Sequence, residues 1–203
     1  MLLPEITFRR SFHRHPQREG IMMPRLFAAL EVPHDAALSL SLLRGGLPGA
    51  RFIEVEDYHI TLRFFGDMSN EIADELVHAL DHIGRKPFNL RLKGIGVFGS
   101  KTPHSIYASV EPCEELLLLQ SDIDRIAKRL GLKSDKGKYI PHVTVARLKQ
   151  VKLDDLLPYL SSHGHFQTGY FPVNRFVMMS SHESIGGGPY IIEDKWNLSI
   201  FVP

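Results

Sequence analysis

The sequence predicts a bilobal, duplicated α+β fold with mainly antiparallel sheets, helices outside and a functional cleft between the two lobes. Strand-like and helix-like segments are mixed without the strict strand–helix–strand alternation of a parallel sheet. Each half of the chain also contains strands, a long amphipathic helix and one copy of the same four-residue pattern. The two copies are His59-Ile60-Thr61-Leu62 and His142-Val143-Thr144-Val145.

The first half of the chain predicts three strands and two helices. A nearly continuous apolar run favours a central first strand, and Gly45-Gly46 ends the short helix that follows. Ser69 or Asn70 can cap the longer helix, whose apolar residues recur at helical spacing up to Gly84. The predicted strands are residues 25–32, 51–55 and 59–65, and the helices are residues 34–44 and 69–83.

The second half predicts a similar set of elements. An amphipathic helix begins near Pro112 and ends at Gly131. Gly186-Gly187-Gly188-Pro189 is typical of a hairpin loop between the last two strands. The predicted strands are residues 88–98, 105–110, 142–147, 166–180 and 190–201, and a second short helix covers residues 153–160.

The composition limits the partners of the protein. The 203 residues are 43% apolar, enough for a substantial core, and the formal charge of +1 provides no extended basic surface for long nucleic acid. A phosphate site would therefore be a local cleft. Cys113 is the only cysteine, which excludes an intrachain disulfide and a cysteine-based zinc site, and it is expected to be buried or half-buried near a helix start.

The termini and hydropathy suggest a cytoplasmic protein. Residues 1–22 are Arg-rich, lack the apolar segment of a secretory signal and are expected to be a poorly ordered extension, so residues 23–203 form the predicted domain. A start at Met22 or Met23 would explain this extension. No apolar run approaches the roughly 20 residues needed to span a bilayer. A monomer without membrane or obligate protein partners is expected.

The two His-x-Thr pairs predict an acid–base site for a phosphate ester. Side chains alternate across a strand, so a His and a Thr two positions apart point to the same face while the residue between them faces the core. Displacement at phosphorus needs a base on the attacking oxygen and an acid on the leaving oxygen, and His59 and His142 can supply both. Thr61 and Thr144 can donate hydrogen bonds to the non-bridging oxygens.

The alternation of side chains also predicts the strand face on which each arginine after the two pairs lies. It predicts that Arg63 shares the face of His59 and Thr61 and binds the phosphate. The same alternation puts Arg147 on the opposite face from His142, where a structural or rim role is expected.

Other motifs compete with this interpretation. A zinc site could use the same two histidines with His163, His165 and His182 available as further ligands, but it would leave the two threonines without a role. The stretch Gly94-Ile95-Gly96-Val97-Phe98-Gly99 matches a dinucleotide-binding fingerprint, yet no helix follows, so a bulged strand or turn is predicted. No metal or other cofactor is expected.

The residues around both pairs resemble the 2H phosphoesterase superfamily, and in particular its RNA 2′,3′-cyclic phosphodiesterases, also called 2′-5′ RNA ligases. The similar segments are residues 24–30, PRLFAAL, residues 58–66, YHITLRFFG, and residues 140–147, IPHVTVAR. The resemblance runs from about Met23 to the C-terminus. Val145 stands where Leu is more usual, a conservative change on the apolar face.

This resemblance implies a fold and a reaction. The fold would be bilobal, with the His-x-Thr strands facing each other across a cleft. The reaction would be metal-free hydrolysis of a terminal 2′,3′-cyclic phosphate of RNA to a 2′-phosphomonoester. His142 would activate the water and His59 would protonate the departing 3′ oxygen. With an RNA 5′-hydroxyl in place of water, the same chemistry would form a 2′-5′ linkage.

Two alternatives remain open from the sequence. The same residues could hydrolyse small cyclic nucleotides or 2′-5′ oligonucleotides. Alternatively, the protein could be an RNA- or nucleotide-binding module that keeps the site for capture only. Phe27, Tyr58 and Phe64 lie near the motifs and could stack on a base, but core packing is expected for each of them.

Overall fold

The computed structural model describes residues 25–133, 137–181 and 189–199. The loop at residues 186–188, His182 and the N-terminal extension lie outside the described residues. The helices are α1 (His34–Ser41), α2 (Asn70–Leu80), α3 (Glu114–Arg129) and α4 (Leu153–His163). The strands are β1 (Arg25–Glu31), β2 (Ala50–Phe52), β3 (His59–Gly66), β4 (Phe88–Leu90), β5 (Leu92–Phe98), β6 (Ser105–Val110), β7 (His142–Leu148), β8 (Phe171–Val173), β9 (Arg175–Ser181) and β10 (Tyr190–Asn197).

Eight of these strands form one sheet, in the order β10-β9-β1-β3-β7-β6-β5 with β2 beside β7, and β4 and β8 form a separate pair. All strand pairs within the described residues are antiparallel, which confirms the predicted α+β class. Strands β3 and β7, which carry the two His-x-Thr pairs, are joined in the sheet by one residue pair, Ile60 and Val143. Apart from the short strand β2, the chain order β1-α1-β3-α2 recurs as β6-α3-β7-α4, as expected for a duplication.

The main core lies on one face of this sheet, against the helices. Leu30, Ile60, Ile106 and Val143 of the sheet are fully buried there, and each contributes about 1.5–3 kcal/mol relative to an exposed side chain. Among the described residues, the opposite face carries only a small buried apolar cluster, which comprises Phe27, Ala29, Val177 and Met179. Because that face has little cover, the strands can present polar side chains to a cleft.

The helices occur where they were predicted, but α1, α2 and α3 are shorter than predicted and α4 extends beyond residue 160 to His163. The Ser69 hydroxyl accepts a hydrogen bond from the Ile72 N–H at 3.5 Å, which confirms a cap at Ser69. This helix ends at Leu80, before the predicted Gly84. Cys113 is the half-buried residue that precedes α3, as predicted.

Two long predicted strands are each divided in two. Residues 88–98 form β4 and β5, and residues 166–180 contain β8 and β9. In β5 the pairing with β6 shifts register between Leu92 and Ile95, where Gly94 has a φ of +79°. The glycine-rich stretch is therefore a bulged strand, as predicted. None of the described helices is long and apolar enough to cross a membrane.

Candidate active site

Strands β3 and β7 carry both His-x-Thr pairs onto the same open face of the sheet. His59, Thr61, His142 and Thr144 all line one cleft of about 400 Å³. Within the described residues, neither threonine hydroxyl makes a hydrogen bond to another group. Both hydroxyls are therefore available to a bound ligand.

The register across the junction places the four side chains in a crossed pattern. Ile60 pairs with Val143 in an antiparallel ladder, so each histidine lies across from the threonine of the other strand. The two histidines thus occupy one diagonal and the two threonines occupy the other. Diagonal neighbours on an antiparallel pair lie roughly 7–8 Å apart, which leaves room for a tetrahedral group between the imidazole rings.

Both imidazole rings are held by the same type of hydrogen bond. Nδ1 of His59 lies 2.8 Å from the carbonyl oxygen of Asp57, and Nδ1 of His142 lies 2.7 Å from that of Ile140. A carbonyl oxygen only accepts hydrogen bonds, so Nδ1 donates and carries the proton in the neutral ring. Nε2 of each ring is then the nitrogen left to exchange a proton with a ligand.

His59 lies in an aromatic environment. Its ring centroid is 5.1 Å from that of Phe27 and 4.7 Å from that of Tyr190. Burial lowers the pKa of His59 to about 4, against the opposing effect of the Asp57 carbonyl. The charges of His142 and Arg147 lower this pKa further. His59 is therefore neutral in the free protein near pH 7.

His142 has a similar but less extreme environment. Its ring lies edge-on to Phe98, with centroids 4.8 Å apart, and 5.5 Å from Tyr107. Burial again lowers the pKa, the Ile140 carbonyl raises it, and the positive charge of Arg147 lowers it. A bound anion between the two rings would favour the protonated form of either histidine.

Arg63 does not join the site, and its predicted role in phosphate binding is wrong. The β1–β3 pairing shifts register where Ala28 and Ala29 face β3, which is the signature of a bulge. The bulge turns Arg63 to the helix side, where it is 2% exposed and its Nε lies 3.1 Å from a carboxylate oxygen of Asp124. The guanidinium also donates a 2.6 Å hydrogen bond to the Lys133 carbonyl. Arg63 therefore ties β3 to α3.

The same bulge recurs in β7 and reverses the prediction for Arg147. The β6–β7 pairing shifts between Ile106 and Tyr107, so Val145 and Ala146 both face the core. Arg147 is thereby turned onto the face of the histidines and lines the cleft. Within the described residues it forms no ion pair with an acidic side chain, so its charge is available to an anion.

Aromatic side chains complete the cleft. Phe64 is 52% exposed and lines it, so core packing was the wrong prediction for this residue. Tyr58 is buried in the core as predicted, whereas Phe27 is buried and also lines the cleft. Sequence reasoning missed Tyr190, which reaches the site from the last strand of the described sequence.

Tyr139 links the two regions of the chain that carry the His-x-Thr pairs. The Tyr139 hydroxyl donates a 3.0 Å hydrogen bond to the Thr61 carbonyl, and burial raises its pKa. This bond connects the segment before His142 to β3, next to the single residue pair that joins the two strands. It thus stabilises the relative position of the two His-x-Thr pairs.

The alternative zinc cluster is not assembled by the described histidines. Nδ1 of His163 lies 2.9 Å from the Tyr159 carbonyl oxygen within α4. No group of three potential metal-ligating side chains occurs in residues 25–133, 137–181 and 189–199. His182 lies outside these ranges.

Two His-x-Thr pairs that line one cleft agree with the arrangement that the resemblance to the 2H phosphoesterases implied, although the two strands are neighbours in one sheet. The chain belongs to the 2′-5′ RNA ligase superfamily, whose family model matches residues 46–184. An RNA 2′,3′-cyclic phosphodiesterase of Aquifex aeolicus is 29% identical over 153 residues, which cover 73% of this chain and 81% of that protein. One from Aeropyrum pernix is 31% identical over 149 residues, covering 72% and 84%.

Solved structures share the fold. The Escherichia coli LigT structure with 3′-AMP superimposes with a TM-score of 0.70 at 22% identity, covering 86% of this chain and 98% of that one. A protein of Thermus thermophilus, TT0787, gives a TM-score of 0.71 at 22% identity, covering 87% and 99%.

Proposed function

We propose that this protein hydrolyses the terminal 2′,3′-cyclic phosphate of RNA to a 2′-phosphomonoester. The observation that carries the proposal is the crossed arrangement of two histidines and two threonines around one cleft. In-line displacement requires an acid and a base on opposite sides of the phosphorus, and this arrangement provides them. The names of the relatives from Aquifex aeolicus and Aeropyrum pernix support the same activity.

The proposed reaction uses one proton transfer at each histidine. Nε2 of His142 takes a proton from the attacking water as its oxygen bonds to phosphorus. The bond between phosphorus and the 3′ oxygen breaks, and Nε2 of His59 gives its proton to that oxygen. The hydrogen bonds of both Nδ1 atoms to backbone carbonyls keep each Nε2 facing the cleft.

The non-bridging oxygens gain negative charge in this step. The Thr61 and Thr144 hydroxyls donate hydrogen bonds to them, and Arg147 supplies a positive charge. Because these groups belong to the protein itself, the proposed hydrolysis needs no metal ion or other cofactor.

The lowered pKa of His59 makes its role depend on the substrate. In the free protein this ring is neutral near pH 7, since its pKa is about 4. A cyclic phosphodiester carries one negative charge and would lie beside the ring, which raises the pKa. Substrate binding therefore favours the uptake from solvent of the proton that His59 later donates. His142, whose pKa is also lowered, is already neutral and able to act as a base.

The same site can run a transesterification. If an RNA 5′-hydroxyl takes the place of water, His142 removes its proton and the product is a 2′-5′ phosphodiester with a free 3′-hydroxyl. Microscopic reversibility then requires that the protein also cleave such a linkage, with the roles of the two histidines exchanged.

The test is the product of one defined substrate. A short RNA that ends in a 2′,3′-cyclic phosphate is incubated with the protein and excess chelator, and the phosphate position is determined by ³¹P NMR. The proposal predicts a 2′-monophosphate from the wild type and unchanged RNA from the double variant His59→Ala/His142→Ala. A 3′-monophosphate would contradict the proposed leaving group. Tight binding without turnover by the wild type would favour a nucleotide-binding module instead.

A further inference from the structure

The two histidines of the cleft differ in the residue that lies two positions before each of them. The carbonyl oxygen of Asp57 binds Nδ1 of His59, and that of Ile140 binds Nδ1 of His142. Ile140 has an apolar side chain, which cannot form a further hydrogen bond. Asp57 lines the cleft, and its carboxylate makes a second, separate contact. The hydrolysis proposed above uses only the carbonyl group of Asp57 and does not require the carboxylate.

The carboxylate of Asp57 binds the backbone of the last strand. Its Oδ1 accepts a hydrogen bond from the N–H of Tyr190 at a distance of 3.2 Å. Tyr190 is the first residue of β10, and two other strands, β9 and β1, separate β10 from β3 in the sheet. Tyr190 also packs against the apolar cluster at Phe27 on the open face. The contact is therefore made over the open face of the sheet and is not part of the strand pairing.

From this position the ring of Tyr190 covers His59. The two ring centroids lie 4.7 Å apart with an interplanar angle of 77°, and the Tyr190 ring also lies 5.4 Å from that of Phe27. Apolar packing is not directional, so it does not by itself fix where Tyr190 lies along β3. A hydrogen bond to the backbone N–H is directional. The Asp57 carboxylate therefore fixes the position of the Tyr190 ring relative to His59.

The covering ring influences the proton affinity of His59. Burial, to which Tyr190 contributes, is the largest cause of the lowered pKa of His59, which is about 4. The titratable side chains that line the cleft with His59 are Arg25 of β1, Asp57, His104, His142 and Arg147 of β7, and Tyr190 of β10. The positive charges of His142 and Arg147 lower the pKa of His59 further. A negative charge at Asp57 acts in the opposite direction, so its removal alone would lower this pKa.

We propose that Asp57 is a positioning residue, whose carboxylate holds the start of β10 over His59 so that Tyr190 shields the imidazole from water in the free protein. The inference rests on the proposed function, in which His59 protonates the leaving oxygen. A shielded His59 stays neutral until the substrate phosphate lies beside it. The equivalent position before His142 is Ile140, so this contact acts on one histidine only. It makes two otherwise similar histidines unequal before the substrate binds.

The pKa of His59 in the free protein tests this proposal. It is measured by NMR titration of the histidine Cε1 protons, and His59→Ala identifies the His59 signal. We expect Asp57→Ala to raise the pKa of His59 from about 4 towards its ordinary value of 6.5, because water reaches the imidazole. Loss of the negative charge alone would lower this pKa. The direction of the change therefore separates positioning from a direct effect of the charge.

Three further variants identify the contact that is responsible. Asp57→Asn keeps an oxygen that accepts a hydrogen bond from the Tyr190 N–H, so the pKa of His59 should not rise. Tyr190→Ala removes the covering ring and should raise this pKa as Asp57→Ala does. Because both changes expose the same ring, the double variant should add little to either one. Glu56→Ala is the matched control, since it removes an exposed carboxylate from the same short turn, residues 55–57, and should not raise the pKa.

The kcat/KM profile for cyclic phosphate hydrolysis gives a second measurement. Its maximum should lie at higher pH in Asp57→Ala than in the wild type, and Asp57→Asn should restore the wild-type position. An unchanged or lower pKa of His59 in Asp57→Ala or in Tyr190→Ala would overturn the inference, and so would an equal rise in Asp57→Asn. The titration needs no substrate. Its result is therefore independent of the proposed function, which fails if wild-type protein leaves the terminal cyclic phosphate intact.

Discussion

Strands β3 and β7 begin alike and diverge after their fourth residue. Each starts with a histidine whose Nδ1 bonds to the carbonyl oxygen two residues earlier, followed by a threonine on the same face. Each then contains a bulge that reverses the alternation of side chains. After the bulge, β3 turns Phe64 into the cleft and β7 turns Arg147 into it.

This difference shows how a duplicated strand can provide two equivalent histidines together with different side chains for binding on each side of the cleft. In the proposed mechanism, the shared part provides an acid and a base that can exchange roles with the direction of the reaction. The divergent part provides an aromatic ring on one side and a cation on the other. The residue that each bulge turns to the helix side differs as well. Arg63 forms a buried ion pair in β3, whereas Ala146 packs in the core in β7.

Removing either histidine should have the largest effect. We expect His59→Ala and His142→Ala each to lower kcat for cyclic phosphate hydrolysis by about 10²–10⁴-fold, because each histidine performs one proton transfer in the proposed mechanism. The double variant should lose little more than either single variant, since the two groups act as a unit. His78→Ala, on an exposed position of α2, is the control. A variant of one histidine with wild-type activity would mean that the two strands are not functionally equivalent.

Variants of Arg63, on the helix side of the sheet, and Arg147, in the cleft, should separate effects on stability from effects on activity. Arg147→Met should lower kcat/KM by about 10–100-fold through loss of a charged contact to the phosphate. Arg63→Met should leave kcat/KM within about threefold but lower the free energy of unfolding by about 1–3 kcal/mol. The cost stays moderate because Asp124 is partly exposed and retains Lys128 at 2.6 Å. Steady-state kinetics and urea unfolding would reveal an exchange of these effects, which would contradict the observed positions.

The two threonines should contribute less than the histidines and about equally. Thr61→Val and Thr144→Val keep the side-chain shape and remove one hydroxyl donor to a charged oxygen, so each should lower kcat/KM by about tenfold. Their effects can be compared on the same cyclic phosphate substrate. If only one of them matters, the phosphate binds against one strand and does not lie between the two.

The pH dependence should show the smallest but most diagnostic difference. The kcat/KM profile reports the free protein, in which burial lowers the pKa of both histidines and that of His59 to about 4. Activity needs one of the two rings to be protonated and the other to be neutral. The profile should therefore be bell-shaped, with its maximum below pH 6.5. It falls in acid when both rings are protonated and falls above the pKa of His142 when neither is. Bound phosphate raises both pKa values, so the kcat profile should lie at higher pH. Coincident profiles would show that the substrate does not contact the rings.

The sequence predicted the His-x-Thr pairs because strand alternation holds over their few residues. The predicted faces of Arg63 and Arg147 were wrong because a bulge inserts an extra residue directly after each pair. In β7 this bulge has a signal, since Val145 and Ala146 are consecutive apolar residues before Arg147. In β3 no such signal exists, because Arg63 is polar and fits unbroken alternation.

The aromatic side chains that line the cleft could not be predicted in the same way. Phe98 and Tyr190 are distant from the motifs in sequence and reach the cleft only through the order of strands in the sheet. Alternation and helical spacing report local structure, so they predict which residues share a face but not which strands become neighbours.

The most direct test of the acid–base pair is a comparison of leaving groups. Adenosine 2′-(4-nitrophenyl phosphate) and 2′-5′-linked diadenosine monophosphate are both cleaved by attack of the 3′-hydroxyl, but nitrophenolate departs without a proton. In the proposed mechanism, His59 is the base and His142 is the acid in this direction. We expect His142→Ala to lose far less activity on the nitrophenyl ester than on the dinucleotide, whereas His59→Ala should lose similar activity on both. Equal losses by both variants on both substrates would contradict the assignment of an acid and a base to opposite sides of the phosphate.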